Sequence, residues 1–279
     1  IFANPAGLAL NTGTAAIFSR MNYVADIGVS YFGIGQNFGN NNIAFTVSTW
    51  DFGDIPLQTE SAPEISSVTY GATFMTAGLT YARVFTDRIS AGTTLKVVSE
   101  SIDDVNASAI AFDAGMTYVV GESGLRLGVA LKNIGTKMQY GGVGLTRQVQ
   151  LPDQTSSASN NAVQLESEGV ELPSLLNVGV SYTREMGAGA MVTVLGNFRS
   201  NSFDQDQYSG GVEVALFDVL YLRGGMDIVG DSDLSFYNGT NFGAGVDLDL
   251  SGTRLQVDYA LRSPDYFANV NMVTVAVGL

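Results

Sequence analysis

From residue 12 onward the chain alternates apolar with small polar residues at a period of two, as in Ile43-Ala44-Phe45-Thr46-Val47-Ser48 and Leu255-Gln256-Val257-Asp258-Tyr259. That period is how a strand presents two unlike faces. Helical spacing is confined to the start, where Asn4 suits a cap, Pro5 a first helical position, and 6–10 one or two turns. Cutting at turn signals predicts fourteen strands, at 12–20, 24–34, 41–50, 70–84, 88–99, 107–119, 124–134, 174–184, 189–199, 208–217, 219–229, 240–249, 253–262 and 269–279.

The connections alternate in length. Tight ones at 36–40, 85–87, 120–123, 185–188, 217–218 and 250–252 are interleaved with mostly longer ones, of which 51–69 and 135–173 are the longest. An even strand number with short turns at one end and long loops at the other predicts an all-β, up-and-down antiparallel transmembrane barrel, of the kind found in bacterial outer membranes. No window of 18 or more continuously apolar residues exists, which removes a transmembrane helix.

A tetrapeptide, Gly-aliphatic-Ser/Thr-Tyr, recurs at Gly28-Val29-Ser30-Tyr31, Gly78-Leu79-Thr80-Tyr81, Gly115-Met116-Thr117-Tyr118 and Gly179-Val180-Ser181-Tyr182. Each precedes a predicted short turn, so Tyr31, Tyr81, Tyr118 and Tyr182 are expected at one level, as an aromatic girdle at the periplasmic interface. The competing account is that Tyr is simply a good strand former.

Alternation alone leaves open which face is outward. Charge decides, because Lys or Arg facing lipid at mid-membrane costs roughly 2–4 kcal/mol. Lys96 alternates with Leu95 and Val97, Asp113 with Phe112 and Ala114, Arg126 with Leu125 and Leu127, Arg223 with Leu222, and Asp247 with Val246 and Leu248. The charges thus share the face opposite the aliphatics, which is read as a lumen. Arg223, Asp227, Asp247, Arg254 and Asp258, on consecutive late strands, are expected to form a ladder of ion pairs in preference to a substrate site, since unpaired charges in a narrow lumen are costly.

Composition sharpens this. The chain is 46% hydrophobic and only 14% charged, against roughly 25% charged in soluble proteins. Asp plus Glu number 27 against 13 Lys plus Arg, a net charge of -14, so a nucleic-acid-binding face is not expected. With neither Cys nor His, the commonest nucleophile, base and metal ligands are missing, and neither an enzyme nor a metal or cofactor site is expected. Acidic residues gather in the predicted loops, among them Glu60 and Glu64, and solvation explains them. Asp204-Gln205-Asp206 and Asp231-Ser232-Asp233 resemble fragments of calcium loops without the full ligand spacing. No basic-then-apolar leader opens the residues from Ile1, so an export signal is expected upstream of them.

Asn4-Pro5-Ala6-Gly7-Leu8-Ala9 looks like the N-P-A-G-L-A element of the luminal hatch of FadL-type outer-membrane proteins. The chain resembles the PorV/PorQ branch of that superfamily more closely. That resemblance rests on Asn22-Tyr23-Val24-Ala25-Asp26-Ile27, Trp50-Asp51-Phe52-Gly53-Asp54-Ile55, Leu79-Thr80-Tyr81-Ala82-Arg83, Thr86-Asp87-Arg88-Ile89-Ser90-Ala91-Gly92, Gly124-Leu125-Arg126-Leu127-Gly128 and Lys132-Asn133-Ile134-Gly135-Thr136-Lys137-Met138. It runs in order through the first half and weakens in the second, where Leu222-Arg223-Gly224-Gly225 and Leu255-Gln256-Val257-Asp258-Tyr259-Ala260 carry it. The chain departs from the family in the short stretch before the N-P-A-G-L element and in ending on Val277-Gly278-Leu279 in place of a terminal Phe.

The resemblance implies a fourteen-stranded barrel (12–279) in the outer membrane of a Gram-negative bacterium, in contact with its lipids, with a hatch at 1–11 built on Asn4, Pro5, Ala6, Gly7 and Leu8. It also implies a non-enzymatic role tied to type IX secretion, in which loops 51–69 and 135–173 dock a protein partner, a cargo signal domain or translocon subunit. The alternatives are FadL-like passage of a hydrophobic small molecule through the lumen, and a structural subunit of a surface assembly.

Overall fold

The computed structural model describes residues 1–57, 68–149, 161–229, 238–264 and 267–279. Its strands, in chain order, are β1 (Thr14–Asn22), β2 (Gly28–Phe38), β3 (Asn41–Pro56), β4 (Thr69–Val84), β5 (Ile89–Ile102), β6 (Val105–Val120), β7 (Leu125–Gly135), β8 (Thr146–Val149), β9 (Asn161–Gln164), β10 (Leu175–Gly187), β11 (Ala190–Asn201), β12 (Gln207–Leu216), β13 (Leu220–Val229), β14 (Gly239–Leu250), β15 (Thr253–Pro264) and β16 (Val270–Gly278). Fourteen of them close one antiparallel barrel in chain order, and β16 returns to pair with β1. Closure leaves no unpaired sheet edge, which is what a strand structure in lipid requires. The short β8 and β9 form a separate hairpin within the connection from β7 to β10.

Which face is buried settles the orientation. Leu95 and Val97 are 56% and 49% exposed on the outer surface while Lys96 between them is 8% exposed inside. The same inversion runs around the wall: Phe32, Phe45, Leu79 and Phe112 are exposed, whereas Asn42, Thr80, Thr94, Lys132 and Asp247 are buried. In water such a surface would leave each large apolar side chain short of roughly 1.5–3 kcal/mol of burial free energy, and a continuous apolar wall of this kind needs acyl chains against it.

Tight turns lie at one end. At the β14 to β15 turn both Ser251 (φ 58°) and Gly252 (φ 95°) are left-handed, the conformation whose twist matches that of the flanking strands. The longer connections lie at the opposite end, with one exception: β5 and β6 are joined there by Asp103 and Asp104 alone.

Several expected boundaries shift. Strand β3 does not stop at 50 but continues to Pro56, so the first part of the proposed loop 51–69 belongs to the wall. A bulge between Asp51 and Asp54, with Gly53 at φ 69°, lets the ladder with β4 resume. Positions 58–67, which include Glu60 and Glu64, positions 150–160 of the second loop, and Asp231-Ser232-Asp233 lie outside the described residues.

The start of the chain is a 3-10 helix, Pro5–Leu10, preceded by Asn4 in extended conformation. Asn4 Oδ1 accepts from the Ala6 amide at 2.9 Å, the capping bond expected of that residue type. The helix is folded into the lumen against β3, β4, β5 and β6.

Candidate functional site

The N-terminal segment is seated on glycines and alanines of the inner wall. A Cβ at Gly115 would lie 2.0 Å from Asn4 Oδ1, and one at Gly92 would lie 2.6 Å from the Pro5 carbonyl. Their absence lets Asn4 Nδ2 reach the carbonyls of Met116 and Val129, both at 3.2 Å. Ala6 is fully buried, and Leu8 packs with Ala9 on Ala44 and Ala82. Gly7 faces the backbone at Ile1. All five residues of the N-P-A-G-L element therefore sit inside the barrel.

Above this segment is a cavity of about 310 Å³. Its floor is Phe2, whose ring meets Tyr31 edge-on at 6.5 Å. Lys132 Nζ donates to the Phe2 carbonyl at 2.6 Å and lies 4.2 Å above the Phe2 ring, a cation held by both a carbonyl and a π face. Trp50, Val98, Leu172 and Leu175 supply apolar wall, and Thr46, Ser48 and Thr76 supply hydroxyls.

One side of the cavity is a buried charge pair. Lys96 Nζ is 2.7 Å from Asp113 Oδ1, with side chains 9% and 7% exposed. Asn133 completes it: its amide donates to Asp113 Oδ1 at 2.7 Å, its Oδ1 accepts from Lys96, and its Nδ2 donates to the Pro173 carbonyl at 2.7 Å. Asn133 sits at φ 63° where the register with β6 shifts, so Lys132 and Asn133 both reach the lumen from adjacent positions.

The roof is the connection from β7 to β10. Met138 is 5% exposed, packed on Ala107 and Ala109 with Val98, Tyr140 and Leu172 around it. Bridges Met138 to Val170 and Asn106 to Gly141 hold the loop to itself and to β6. Tyr140 donates to Glu100, and that bond, then burial and the Glu100 charge, push its hydroxyl pKa up to about 12.

The far wall carries the expected ladder in altered form. Arg223 binds Glu213 at 2.6 Å and Asp258 at 2.5 Å. Strand β14 runs between Arg223 and Asp258, and they meet because position 245 is Gly: a Cβ there would lie 2.1 Å from Asp258 Oδ1. Arg254 clasps Asp247 with two nitrogens, at 2.8 and 2.5 Å. Asp227 pairs with Arg262 at 3.7 Å, not with Arg223, and accepts from Asn241 at 2.7 Å. Arg126 lies on the luminal face by parity with Gly128 and Ala130 and has no ion-pair partner among the described residues.

The girdle expectation is corrected at Tyr31. Strand β2 runs on to Phe38, so Tyr31 is far from the short turn, and Phe32 and Ile34 take the outward positions. Tyr31 consequently faces the cavity. Tyr81 and Tyr182 are exposed on the outer face, Tyr118 shares the outward parity of Phe112 and Met116, and the Tyr81 hydroxyl donates to Asn41 at 2.7 Å.

Glu213, Lys132, Arg199 and Arg262 were not picked out from sequence. Glu213 obeys the parity that exposes the others, lying between Val212 and Val214, and that signal could have found it. Lys132 likewise keeps the parity of Arg126, Gly128 and Ala130, and it is Asn133 that the bulge hides.

No family model matches the sequence, and no curated protein matches it. Solved structures do share the fold. CymD, a monoaromatic hydrocarbon channel, aligns with a TM-score of 0.60 at 11% identity over 99% of this chain and 90% of CymD. The P. putida toluene transporter TodX aligns with 0.59 at 10% identity, over 99% and 91%. A Pseudomonas aeruginosa FadL homologue gives 0.50 at 10% identity, over 99% and 92%. CymD and TodX are thus a channel and a transporter. The chain has the fold of FadL-type channels, and its lipid-facing wall makes it an outer-membrane barrel.

Proposed function

We propose that this protein passes small hydrophobic molecules across the outer membrane, with residues 1–11 as the hatch and the cavity above Phe2 as the holding site. The observation that carries the reading is the cavity itself: about 310 Å³, with Trp50, Val98, Leu172 and Leu175 in its lining, set between Phe2 and the connection from β7 to β10. A cavity of roughly 150 Å³ already admits benzene when its lining is apolar, so the volume here suffices for a monoaromatic against Trp50, Val98, Leu172 and Leu175, with Lys96, Glu100, Asp113 and Lys132 bordering the rest. The cargoes named for CymD and TodX, monoaromatic hydrocarbons and toluene, are the first to try. No proton transfer or covalent step is involved, and the work is done by desolvation and by Lys132 and Thr76 orienting any polar atom.

The test is uptake of labelled toluene by cells whose outer membrane carries the protein, where the lipopolysaccharide leaflet slows direct partitioning of the hydrocarbon. Thr76→Phe, which fills the cavity, is expected to cut the rate about tenfold while the barrel keeps its heat-resistant migration on gels, in line with pocket filling at a preformed site. Unchanged uptake in a folded Thr76→Phe barrel would defeat the reading.

A second reading, partner docking of the PorV/PorQ type in type IX secretion, is favoured by one feature. Val143, Leu165 and Val170 are exposed apolar residues on the loop of the proposed docking region 135–173, where apolar side chains need covering. Retention of a cargo signal domain on immobilised barrel, lost in the triple Ser variant of those positions, is its expected signature.

A further inference from the structure

The N-terminal segment covers only part of the inner wall. It packs on β3 to β6, and between it and β7, β10 and β11 lies a second space of about 240 Å³ bordered by Asn4, Asn177, Asn197 and Arg199. At the tight-turn end a further space of about 390 Å³ opens beside Asn11, Arg254 and Gln256. Between the two stand the Arg223, Glu213 and Asp258 side chains, 35%, 29% and 20% exposed.

Leu195 marks how open this side is. It faces inward, since it pairs with Ser181 and Gly211 on the face that carries the Thr183 to Thr193 hydroxyl bond. Yet it is 42% exposed. An apolar side chain turned into the lumen and this exposed has space wide enough for water in front of it. Eight-stranded barrels are just filled by their own side chains, and barrels of sixteen or more leave an aqueous channel. Fourteen strands fall between these cases, and the N-terminal segment covers only the β3 to β6 side.

We infer that a slot running between the N-terminal segment and the β10 to β15 wall conducts small ions, alongside and separate from the cavity above Phe2. Its lining suits that task. Arg199 on β11 faces the slot, donating to Asn177 and Gln207 and having no carboxylate partner among the described residues, while Glu213 and Asp258 stand further along the same wall. Basic and acidic side chains spaced along one wall, the acidic ones shared with Arg223, let hydrated ions of both signs pass without a deep well for either. The alternating salt bridges along β12 to β15 hold the flank in place and prevent any single charge from trapping an ion.

The native chain has no Cys, so one introduced thiol reports on one position. The full-length protein is placed in a planar lipid bilayer in potassium chloride and single-channel current is recorded. Ohmic steps are expected, and in Leu195→Cys a membrane-impermeant cationic methanethiosulfonate is expected to lower each step by about twofold or more, since the added group sits in the conduit. Val194→Cys, one residue away and exposed on the lipid face, is the control, and the reagent should leave its current unchanged. Absence of current from inserted protein would overturn the inference. So would current that the reagent leaves untouched at Leu195→Cys, or that it blocks equally at both positions.

Discussion

The two halves of this barrel solve the same problem differently. Along β3 to β6 the inner wall is Ala, Thr and Gly, because the N-terminal segment lies on it and close approach leaves no room for longer side chains. The charge pair there, Lys96 with Asp113, is buried. Along β12 to β15 nothing among the described residues covers the wall, and the inward positions carry Glu213, Arg223, Asp227, Asp247, Arg254, Asp258 and Arg262, spread over glycines that let them cross from strand to strand. Covered wall is made of small residues and uncovered wall of paired charges. The same two-residue period therefore yields a seat on one side and a face of paired charges on the other.

The largest effect expected from breaking this contrast is at the covered pair. Asp113→Ala leaves Lys96 buried without a counter-charge and removes the acceptor of the Asn133 amide, which should cost about 3–5 kcal/mol in urea unfolding from bilayers. Asp258→Ala, at a pair in contact with water and with Glu213 still holding Arg223, should cost about 1 kcal/mol or less. Equal losses would erase the distinction between the halves.

Next is the seat. Gly115→Leu drives a side chain into Asn4. The expected penalty is about 1–3 kcal/mol of overpacking, relieved by release of residues 1–10 from the wall and read as new protease cleavage there with the barrel intact. Gly245→Ala tests the opposite wall, since its Cβ would displace Asp258 from Arg223. About 1 kcal/mol is expected, the net value of a solvated hydrogen-bonded pair, and the N-terminal segment should stay protected.

The smallest effect concerns the roof. Tyr140 donates to Glu100 in its neutral form and has its pKa raised to about 12. A raised pKa means that the folded state favours the protonated phenol. The contribution is full below the unfolded value near pH 10 and is lost as pH rises through about 12. Hydrogen exchange of the Met138 and Val170 amides should accordingly quicken across that window, beyond the intrinsic rise, and Tyr140→Phe should abolish the step at a cost of about 1 kcal/mol.

How much of this was legible before folding follows from where the period of two holds. Strand count, closure and the inward parity of Lys96, Asp113, Arg223, Asp247 and Asp258 were readable, because lipid forbids charge on one face and the pattern has no other degree of freedom. It failed at bulges. The extra residue at Asn133 puts two consecutive side chains into the lumen, and the one between Asp51 and Asp54 lets a segment read as loop remain wall. Pair choice was also hidden. Asp227 and Arg223 share a strand and a face, but register brings Arg262 to the first and Asp258 to the second. The recurring tetrapeptide misled at Tyr31 because local sequence repeats while distance from the turn does not.

Trp50, the single Trp of the chain, lines the cavity proposed to take an apolar guest. Titrating the detergent-solubilised protein with bromobenzene, a heavy-atom quencher, and following Trp50 emission tests that directly. Saturable quenching is predicted, with its midpoint displaced to higher concentration in Thr76→Phe. Quenching that rises linearly without saturation, as for free indole in the same micelles, or that is identical in Thr76→Phe, would contradict it.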